Sequence, residues 1–194
     1  MFSITRLGHA EIRVTDIERA RRFYVDLLGF VETEREPGKL YLRGYEERYH
    51  HSIVLREAAE PGLSHFAYRV SSGEDLDSLT TLFESKGLRV KRMSAGSEKG
   101  VGESIRVQDP LGFPVEFYFE MDQVERMLQK FDKYRGAKPM RIDHVNCQTP
   151  LVDRGYDYYV KDLGFKVSEY TEGSDGGLWG VWLFRSRTST TSHS

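Results

Sequence analysis

The stretch Asp16-Ile-Glu-Arg-Ala-Arg-Arg-Phe-Tyr-Val-Asp-Leu-Leu-Gly-Phe30 decides the fold, because the chain repeats it as Val152-Asp-Arg-Gly-Tyr-Asp-Tyr-Tyr-Val-Lys-Asp-Leu-Gly-Phe165. Each copy follows a short apolar stretch that begins at a histidine, His9 in the first copy and His144 in the second. A weaker copy begins at His65. Repeats of this length are typical of one supersecondary unit used several times, each burying its apolar face against a neighbour. Function is therefore expected where units meet.

Composition narrows the function classes. The 194 residues allow one or two domains, and the formal net charge of -2 has both signs interspersed. That balance favours no nucleic-acid partner. Cys147 is the only cysteine, which excludes a disulfide framework. Without a visible signal peptide or a stretch long enough to span a membrane, we predict a cytoplasmic protein with no membrane partner.

The first two units each show the order strand, helix and three strands. In the first unit, Asp16 is predicted to be an N-cap and Gly29 a C-cap, with apolar residues at helical spacing between them. The turn Pro61-Gly62 ends that unit, and Ser64 begins the second. The predicted fold class is therefore α+β, built from paired βαβββ units, with one complete two-unit domain and an incomplete third unit.

Domain boundaries follow from this pattern. Residues 1–121 form the two-unit N-terminal domain, residues 122–140 form a linker, and residues 141–194 form the third unit. The linker is predicted to contain a helix over Asp122–Tyr134, because its apolar residues line one helical face. Those residues are Val124, Met127, Leu128 and Phe131.

The third unit stops short of the pattern. Its predicted elements are strand Ile142–Gln148, helix Val152–Leu163, strand Lys166–Tyr170 and strand Leu178–Phe184. One further strand is due, but the tail after Phe184 has no apolar face. A one-base change of reading frame across this tail can encode the expected strand, so we hypothesise a frameshift or interrupted gene; a cloning tail or a short natural terminus are the alternatives. Uncovered apolar residues on this unit favour self-association or local disorder, and we expect a homo-oligomer.

Several motifs together resemble the vicinal oxygen chelate superfamily (the glyoxalase, bleomycin-resistance and extradiol dioxygenase proteins). Within it they resemble the extradiol catechol 2,3-dioxygenases and homoprotocatechuate 2,3-dioxygenases. The motifs are Gly8-His-Ala-Glu-Ile-Arg-Val-Thr-Asp16, Phe23-Tyr-Val-Asp-Leu-Leu-Gly-Phe30, Tyr41-Leu-Arg-Gly-Tyr-Glu-Glu47, His50-His-Ser-Ile-Val-Leu-Arg56, Val107-Gln-Asp-Pro-Leu-Gly-Phe-Pro-Val-Glu-Phe-Tyr118 and Arg141-Ile-Asp-His-Val-Asn146.

The resemblance implies an enzyme of four units that opens a catecholic ring with O2. It also implies a metal, Fe(II) or Mn(II), held by two histidines and one carboxylate. His144 matches the family's first metal ligand, whereas the other ligands and the acid–base residues belong to a fourth unit. We therefore expect an extradiol dioxygenase that is incomplete and inactive as this chain, and we assign it no catalytic residue.

The N-terminal domain offers a second candidate metal site, formed by His9, His65 and Glu116. The two histidines open equivalent strands of paired units, and Glu116 lies in the last strand of the second unit. Two imidazoles and one carboxylate suit Fe(II), Mn(II) or Zn(II). The alternative function is a small-molecule-binding protein or metalloenzyme of the glyoxalase/bleomycin-resistance type that uses this cavity. These residues could instead be hydrogen-bonded polar groups of a non-catalytic or purely structural domain.

Two further motifs are given structural interpretations. The Gly-rich loop from Ser94 to Gly102 lies between predicted strands, so it is interpreted as a hairpin connection rather than a phosphate cradle. The neighbours His50 and His51 should point to opposite faces of a strand, which favours a surface role over a metal pair.

Overall fold

Two copies of one β-α-β-β-β unit form the main sheet, in a computed structural model that describes residues 2–185. The expectations for the end of the tail, including its reading frame, lie outside the described residues. The first unit consists of β1 (Ile4–Val14), α1 (Ile17–Arg21) with a π-helical continuation (Arg22–Leu27), β2 (Val31–Glu36), β3 (Lys39–Arg43) and β4 (Ile53–Glu57). The second consists of β5 (Gly62–Val70), α2 (Gly73–Ser85), β6 (Val90–Met93), β7 (Ser104–Gln108) and β8 (Pro114–Tyr118). The predicted fold class is confirmed.

Local sequence signals begin and end the helices. The Asp16 carboxylate accepts a hydrogen bond from the Arg19 backbone N–H at 2.8 Å, which satisfies a free donor of the first turn. Ser72 and Asp75 form a reciprocal capping box at the start of α2. Gly29 has a φ of 88°, the left-handed conformation that glycine adopts readily after a helix.

The sheet has a near-symmetric strand order, β2-β3-β4-β1-β5-β8-β7-β6. β1 and β5 pair antiparallel at its centre, and each pairs in parallel with the last strand of its own unit. Because successive side chains point to opposite faces, one face can pack on the helices while the other carries polar groups. The largest core cluster includes Phe66, Val70, Leu79, Phe83, Ile105 and Phe117. We call the opposite face, which carries His9 and Glu116, the site face.

The linker differs from its prediction, since the expected helix over Asp122–Tyr134 is not formed. The segment instead runs alongside the loop that precedes β4: the Val124 N–H donates to Arg48 and the Met127 N–H to Tyr45. A short 3-10 turn follows at Phe131–Lys133. The apolar residues have helical spacing, but they do not face a core: Phe131 is 73% exposed. Because a short helix without tertiary packing is unstable, backbone pairing with the loop replaces it.

The third unit forms in part. α3 (Val152–Tyr156) with its π-helical continuation (Asp157–Asp162), β9 (Lys166–Glu172) and β10 (Leu178–Phe184) correspond to predicted elements. The predicted strand Ile142–Gln148 is wrong: the segment has no strand partner among the described residues. Its half-buried side chains Ile142, Val145 and Cys147 pack against the main core instead.

The third unit docks on the N-terminal domain through its helix. Tyr158 and Leu163 are buried in the main core cluster. The Tyr159 hydroxyl donates a 2.9 Å hydrogen bond to Asp109, and Lys86 pairs with Asp162 at 2.8 Å. The third unit is thus fastened to the helical side of the sheet.

The β9–β10 hairpin leaves large apolar side chains uncovered. Trp179 is 76% exposed and Trp182 is 51% exposed, and Tyr170 and Phe184 are exposed beside them. The sequence predicts uncovered apolar residues on the third unit, and these exposed side chains agree with that prediction. Among residues 2–185, no helix has the length and apolar character needed to cross a membrane.

Candidate functional site

The two histidines expected to open equivalent strands lie inside them instead, because β1 already begins at Ile4 and β5 at Gly62. They meet at the centre of the sheet. His9 lies on β1 and His65 on the adjacent β5, and both are fully buried. Their Nε2 atoms lie 3.2 Å apart, with the two rings nearly perpendicular. At this distance one imidazole donates and the other accepts. Residues far apart in sequence are thus brought together across the pseudo-twofold relationship of the two units.

Glu116 reaches the histidines over a small residue. In the strand register, His9 lies opposite Ala67, and Ala67 lies opposite Glu116. Because register partners point to the same face, the short side chain of Ala67 leaves room for its neighbours to converge. The Glu116 carboxylate lies 3.9 Å from His9 Nε2 and 3.7 Å from His65 Nε2.

A fourth group, Glu98, completes the cluster from the Gly-rich loop between β6 and β7. Its Oε1 lies 3.1 Å from His9 Nε2, and its Oε2 lies 3.4 Å from His65 Nε2. β6 and β7 pair antiparallel, as expected of a hairpin connection. The loop therefore delivers a carboxylate to the site, a role that its sequence did not indicate.

Arg106 supplies the positive charge at this cluster. It lies on β7 directly opposite Glu116, and its Nε donates to that carboxylate. Its Nη2 donates to Glu98 at 2.6 Å. One guanidinium therefore bridges two buried carboxylates whose charges would otherwise be close and uncompensated.

His50 and His51 correct the expectation of a surface role, because both are buried. Their Nδ1 atoms lie 2.9 Å apart. His51 Nε2 lies 3.2 Å from Glu98, and His50 Nε2 lies 3.0 Å from Glu34. A continuous polar chain thus connects the half-exposed Glu34 with the buried cluster.

The electrostatics follow from burial and these partners. Burial alone would lower the pKa of His9, but the carboxylates of Glu98 and Glu116 outweigh it and raise that pKa. Burial lowers the pKa of His51 to about 4, so this ring is neutral. Burial would raise the pKa of Glu98, yet its polar contacts with His51, His65 and His9 outweigh burial and lower it. The Glu98 carboxylate is therefore held ionised next to imidazole and guanidinium donors.

His144 lies apart from this cluster. Its side chain is 84% exposed, and its nearest carboxylate is that of Asp143 at 3.8 Å. Among the described residues, the metal-ligating groups that converge are His9, His65, Glu98 and Glu116. Of the sequence candidates, the structure therefore brings together the N-terminal three and leaves His144 outside.

The donor set of the cluster fits a divalent transition metal. One ligand atom from each of the four residues can be chosen so that all lie within 4.8 Å of one another. Among the described residues, Glu116 Oε1 is buried without a hydrogen-bond partner. Two imidazoles and two carboxylates suit Mn(II), Fe(II) or Zn(II). Arg106 opposes metal binding, since it already binds both carboxylates and offsets part of their charge.

Sequence reasoning missed three members of the site, Glu98, Arg106 and His51. Arg106 had a usable signal: adjacent strands β7 and β8 place an arginine opposite a glutamate. Glu98 and His51 had none, because their positions depend on loops. The Gly-rich loop packs closely on the histidine pair: Gly100 has a φ of 73°, and a Cβ added there would lie 2.8 Å from the His50 ring.

Comparison with known protein families identifies the architecture. Residues 6–117 match the family model described as the Glyoxalase/Bleomycin resistance protein/Dioxygenase superfamily. Among curated proteins, the chain is 29% identical over 188 residues to the manganese-dependent 2,3-dihydroxybiphenyl 1,2-dioxygenase of Geobacillus genomosp. 3. That match covers 93% of this chain and 60% of the relative, so the chain spans only about three fifths of the relative's length.

Solved structures agree with this assignment. Homoprotocatechuate 2,3-dioxygenase from Arthrobacter globiformis is 44% identical with a TM-score of 0.89, over 93% of this chain and 56% of that one. An anaerobic complex of the Brevibacterium fuscum homoprotocatechuate 2,3-dioxygenase with 3,4-dihydroxyphenylacetate is 40% identical with a TM-score of 0.90. It covers 95% of this chain and 57% of that one.

Proposed function

We propose that this chain carries the N-terminal domain of an extradiol ring-cleavage dioxygenase. The chain belongs to the Glyoxalase/Bleomycin resistance protein/Dioxygenase superfamily. The substrate class is a catecholic aromatic, opened with O2. The observation that carries the proposal is the likeness to homoprotocatechuate 2,3-dioxygenase, which extends through both complete units into the third. A cytoplasmic location and a homo-oligomeric state remain predictions from the sequence.

The catalytic metal of the proposed enzyme is Fe(II) or Mn(II), because the relatives include manganese-dependent and iron-dependent extradiol dioxygenases. His144 is the ligand that this chain would contribute. Its described surroundings do not form a metal site, since Asp143 is the nearest carboxylate and the side chain faces solvent. We therefore expect no ring opening by the isolated chain.

A chimera tests this function. Residues 1–184 of this chain are joined to the C-terminal remainder of homoprotocatechuate 2,3-dioxygenase from Arthrobacter globiformis. The chimera, supplied with Fe(II) or Mn(II) and O2, is expected to open the ring of 3,4-dihydroxyphenylacetate, and His144→Ala is expected to abolish the product. A folded, metal-loaded chimera that forms no ring-opened product would contradict the proposal.

A second candidate function, divalent metal binding by the N-terminal domain, is favoured by the convergence of His9, His65, Glu98 and Glu116. A metal held by these residues would supply a Lewis acid next to a polar cavity. The imidazoles would offer their Nε2 atoms and the carboxylates would provide negative charge. Arg106 would have to release at least one carboxylate for the metal to bind.

Titration of the purified chain with Mn(II) and Zn(II) tests this candidate. We expect one saturable site per chain, lost in His65→Ala and in Glu116→Gln. Glu84→Gln, which removes an exposed carboxylate on α2, should leave binding unchanged. A wild-type chain that takes up neither metal, or equal losses in all three variants, would contradict it.

A further inference from the structure

A polar cavity of about 510 Å³ opens on the site face beside the histidine–carboxylate cluster. Its volume falls in the range of small-molecule sites, yet Leu63 is the only large apolar residue among the described residues that line it. Most of the lining is charged, with four cations against two carboxylates. These are Glu11, Arg13, Lys39, Arg56, Glu98 and Arg106. The excess positive charge favours an anionic, polar ligand over an aromatic ring.

Three of these cations form a row across neighbouring strands. Lys39 of β3 lies directly opposite Arg56 of β4, and Arg56 lies directly opposite Arg13 of β1. Register partners point to the same face with Cβ atoms about 5 Å apart, and like charges in such pairs are destabilising. Strand pairing alone therefore gives no reason for three consecutive cations.

The protein compensates this row only in part. Glu11 accepts hydrogen bonds from Lys39 at 3.2 Å and from Arg56 at 2.9 Å, which leaves one carboxylate for two cations. Within residues 2–185, Arg13 forms no ion pair, and its Nε is buried without a hydrogen-bond partner. A buried charged donor of this kind is costly unless something binds it.

The backbone beside Arg13 leaves room for its side chain. Gly62 lies opposite Arg13 on β5, and a Cβ at this glycine would lie 2.6 Å from Arg13 Nη2. Any larger residue would push the guanidinium from its place over the strand. The planar guanidinium, with its Nε unpaired among the described residues, therefore stays in the cavity lining, in a geometry suited to an oxyanion.

We propose that this cavity binds a small polyanion, a phosphate monoester or a di- or tricarboxylate. Arg13 binds one oxyanion group through paired N–H donors, and Arg56 and Lys39 add charge from the adjacent strands. The hydroxyl-bearing Ser64 and Ser97 also line the cavity and suit the remaining polar groups of the ligand. The site does not depend on the proposed ring-cleavage activity, since none of its residues belongs to the His144 region.

Isothermal titration of the full chain with inorganic phosphate and with citrate tests the site. Saturable binding of either anion is expected; phosphate alone would assign a phosphate ligand and citrate alone a carboxylate. Arg13→Gln should weaken binding about tenfold or more, the value of a charged, paired hydrogen bond. Because Arg13 has no ion pair to lose among the described residues, this variant should keep its fold.

Two further variants distinguish specific binding in the cavity from nonspecific attraction of anions by positive charge. Glu11→Gln removes the competing carboxylate and should tighten binding, an effect that a purely structural role would not produce. Arg92→Gln removes a half-exposed arginine on β6 that pairs with Asp77, outside the cavity, and should leave binding unchanged. No saturable binding by the wild-type chain, or equal weakening in Arg13→Gln and Arg92→Gln, would overturn the proposal.

Discussion

Arg106 and Glu116 lie directly opposite each other on β7 and β8, and the guanidinium Nε donates to the carboxylate that both buried histidines also face. The arginine therefore stands where a metal ion would otherwise balance the carboxylates. Its charge is internal and permanent, so the domain can fold without a metal. A metal ion that binds Glu116 must compete with this contact, which lowers the affinity of the cluster for the metal.

Replacing Arg106 with methionine keeps the length of the side chain and removes its charge. We expect Arg106→Met to destabilise the metal-free protein by about 3 kcal/mol, because two buried carboxylates lose their cation. Mn(II) or Zn(II) at about a hundred times its Kd should restore about 2.7 kcal/mol. Urea unfolding with and without metal measures both effects.

The control for that variant is Arg92→Met, which breaks an exposed pair on β6. It should change the free energy of unfolding by less than about 1 kcal/mol and show no response to metal. Equal stability of Arg106→Met and the wild type, or an unchanged metal affinity, would mean that Arg106 does not act as the internal cation.

Ala67 is the spacer that lets His9 and Glu116 converge. Ala67→Leu places a branched side chain between them and should destabilise the protein by about 1–3 kcal/mol through overpacking. It should also abolish metal binding by the cluster. Ala67→Ser, nearly equal in size, should retain metal binding. Metal titration of both variants tests this prediction. Undiminished binding by Ala67→Leu would show that the two histidines and two glutamates of the cluster do not act as one site.

Much of this arrangement could be predicted from the sequence. The repeated histidine-led strands predict two equivalent units, and their pairing brings His9 to His65. The loop-borne Glu98 could not be predicted, because its position depends on contacts far along the chain. The helical spacing around Met127 was misleading for a similar reason: spacing describes which residues share a face, not whether a core exists to cover it.

His51 and the segment around Val145 show the same limit. His51 is buried because the Gly-rich loop folds over it, as its 3.2 Å contact with Glu98 shows. The segment around Val145 has the apolar pattern of a strand, but a strand forms only where a neighbouring strand offers backbone hydrogen bonds. It packs against the finished N-terminal core instead.

The contact between Tyr159 and Asp109 anchors the third unit. The hydroxyl donates to a carboxylate that also accepts the backbone N–H groups of Leu111 and Phe113. Tyr159→Phe removes one buried charged hydrogen bond and should cost about 1–3 kcal/mol. Limited proteolysis should then cut residues 141–184 faster. Tyr170→Phe, at an exposed position of β9, is the control, and equal cleavage of both variants would contradict the anchoring role.

The exposed tryptophans of β10 predict self-association. Trp179→Thr combined with Trp182→Thr should shift the protein toward a monomer, since the uncovered apolar surface is removed. Phe131→Ser removes a similarly exposed apolar side chain that lies outside the β9–β10 hairpin and should have no such effect. Light scattering across a concentration series measures the oligomeric state. A wild-type protein that stays monomeric at every concentration would refute this expectation.

The most direct test of the central claim compares two histidines in the chimera with the C-terminal part of homoprotocatechuate 2,3-dioxygenase. The claim is that ring cleavage depends on His144 and not on the buried N-terminal cluster. The rate of ring opening of 3,4-dihydroxyphenylacetate is measured for His144→Ala and His65→Ala, both loaded with metal. We predict that His144→Ala is inactive while His65→Ala keeps the rate of its parent. Activity that survives in His144→Ala and disappears in His65→Ala would contradict the account.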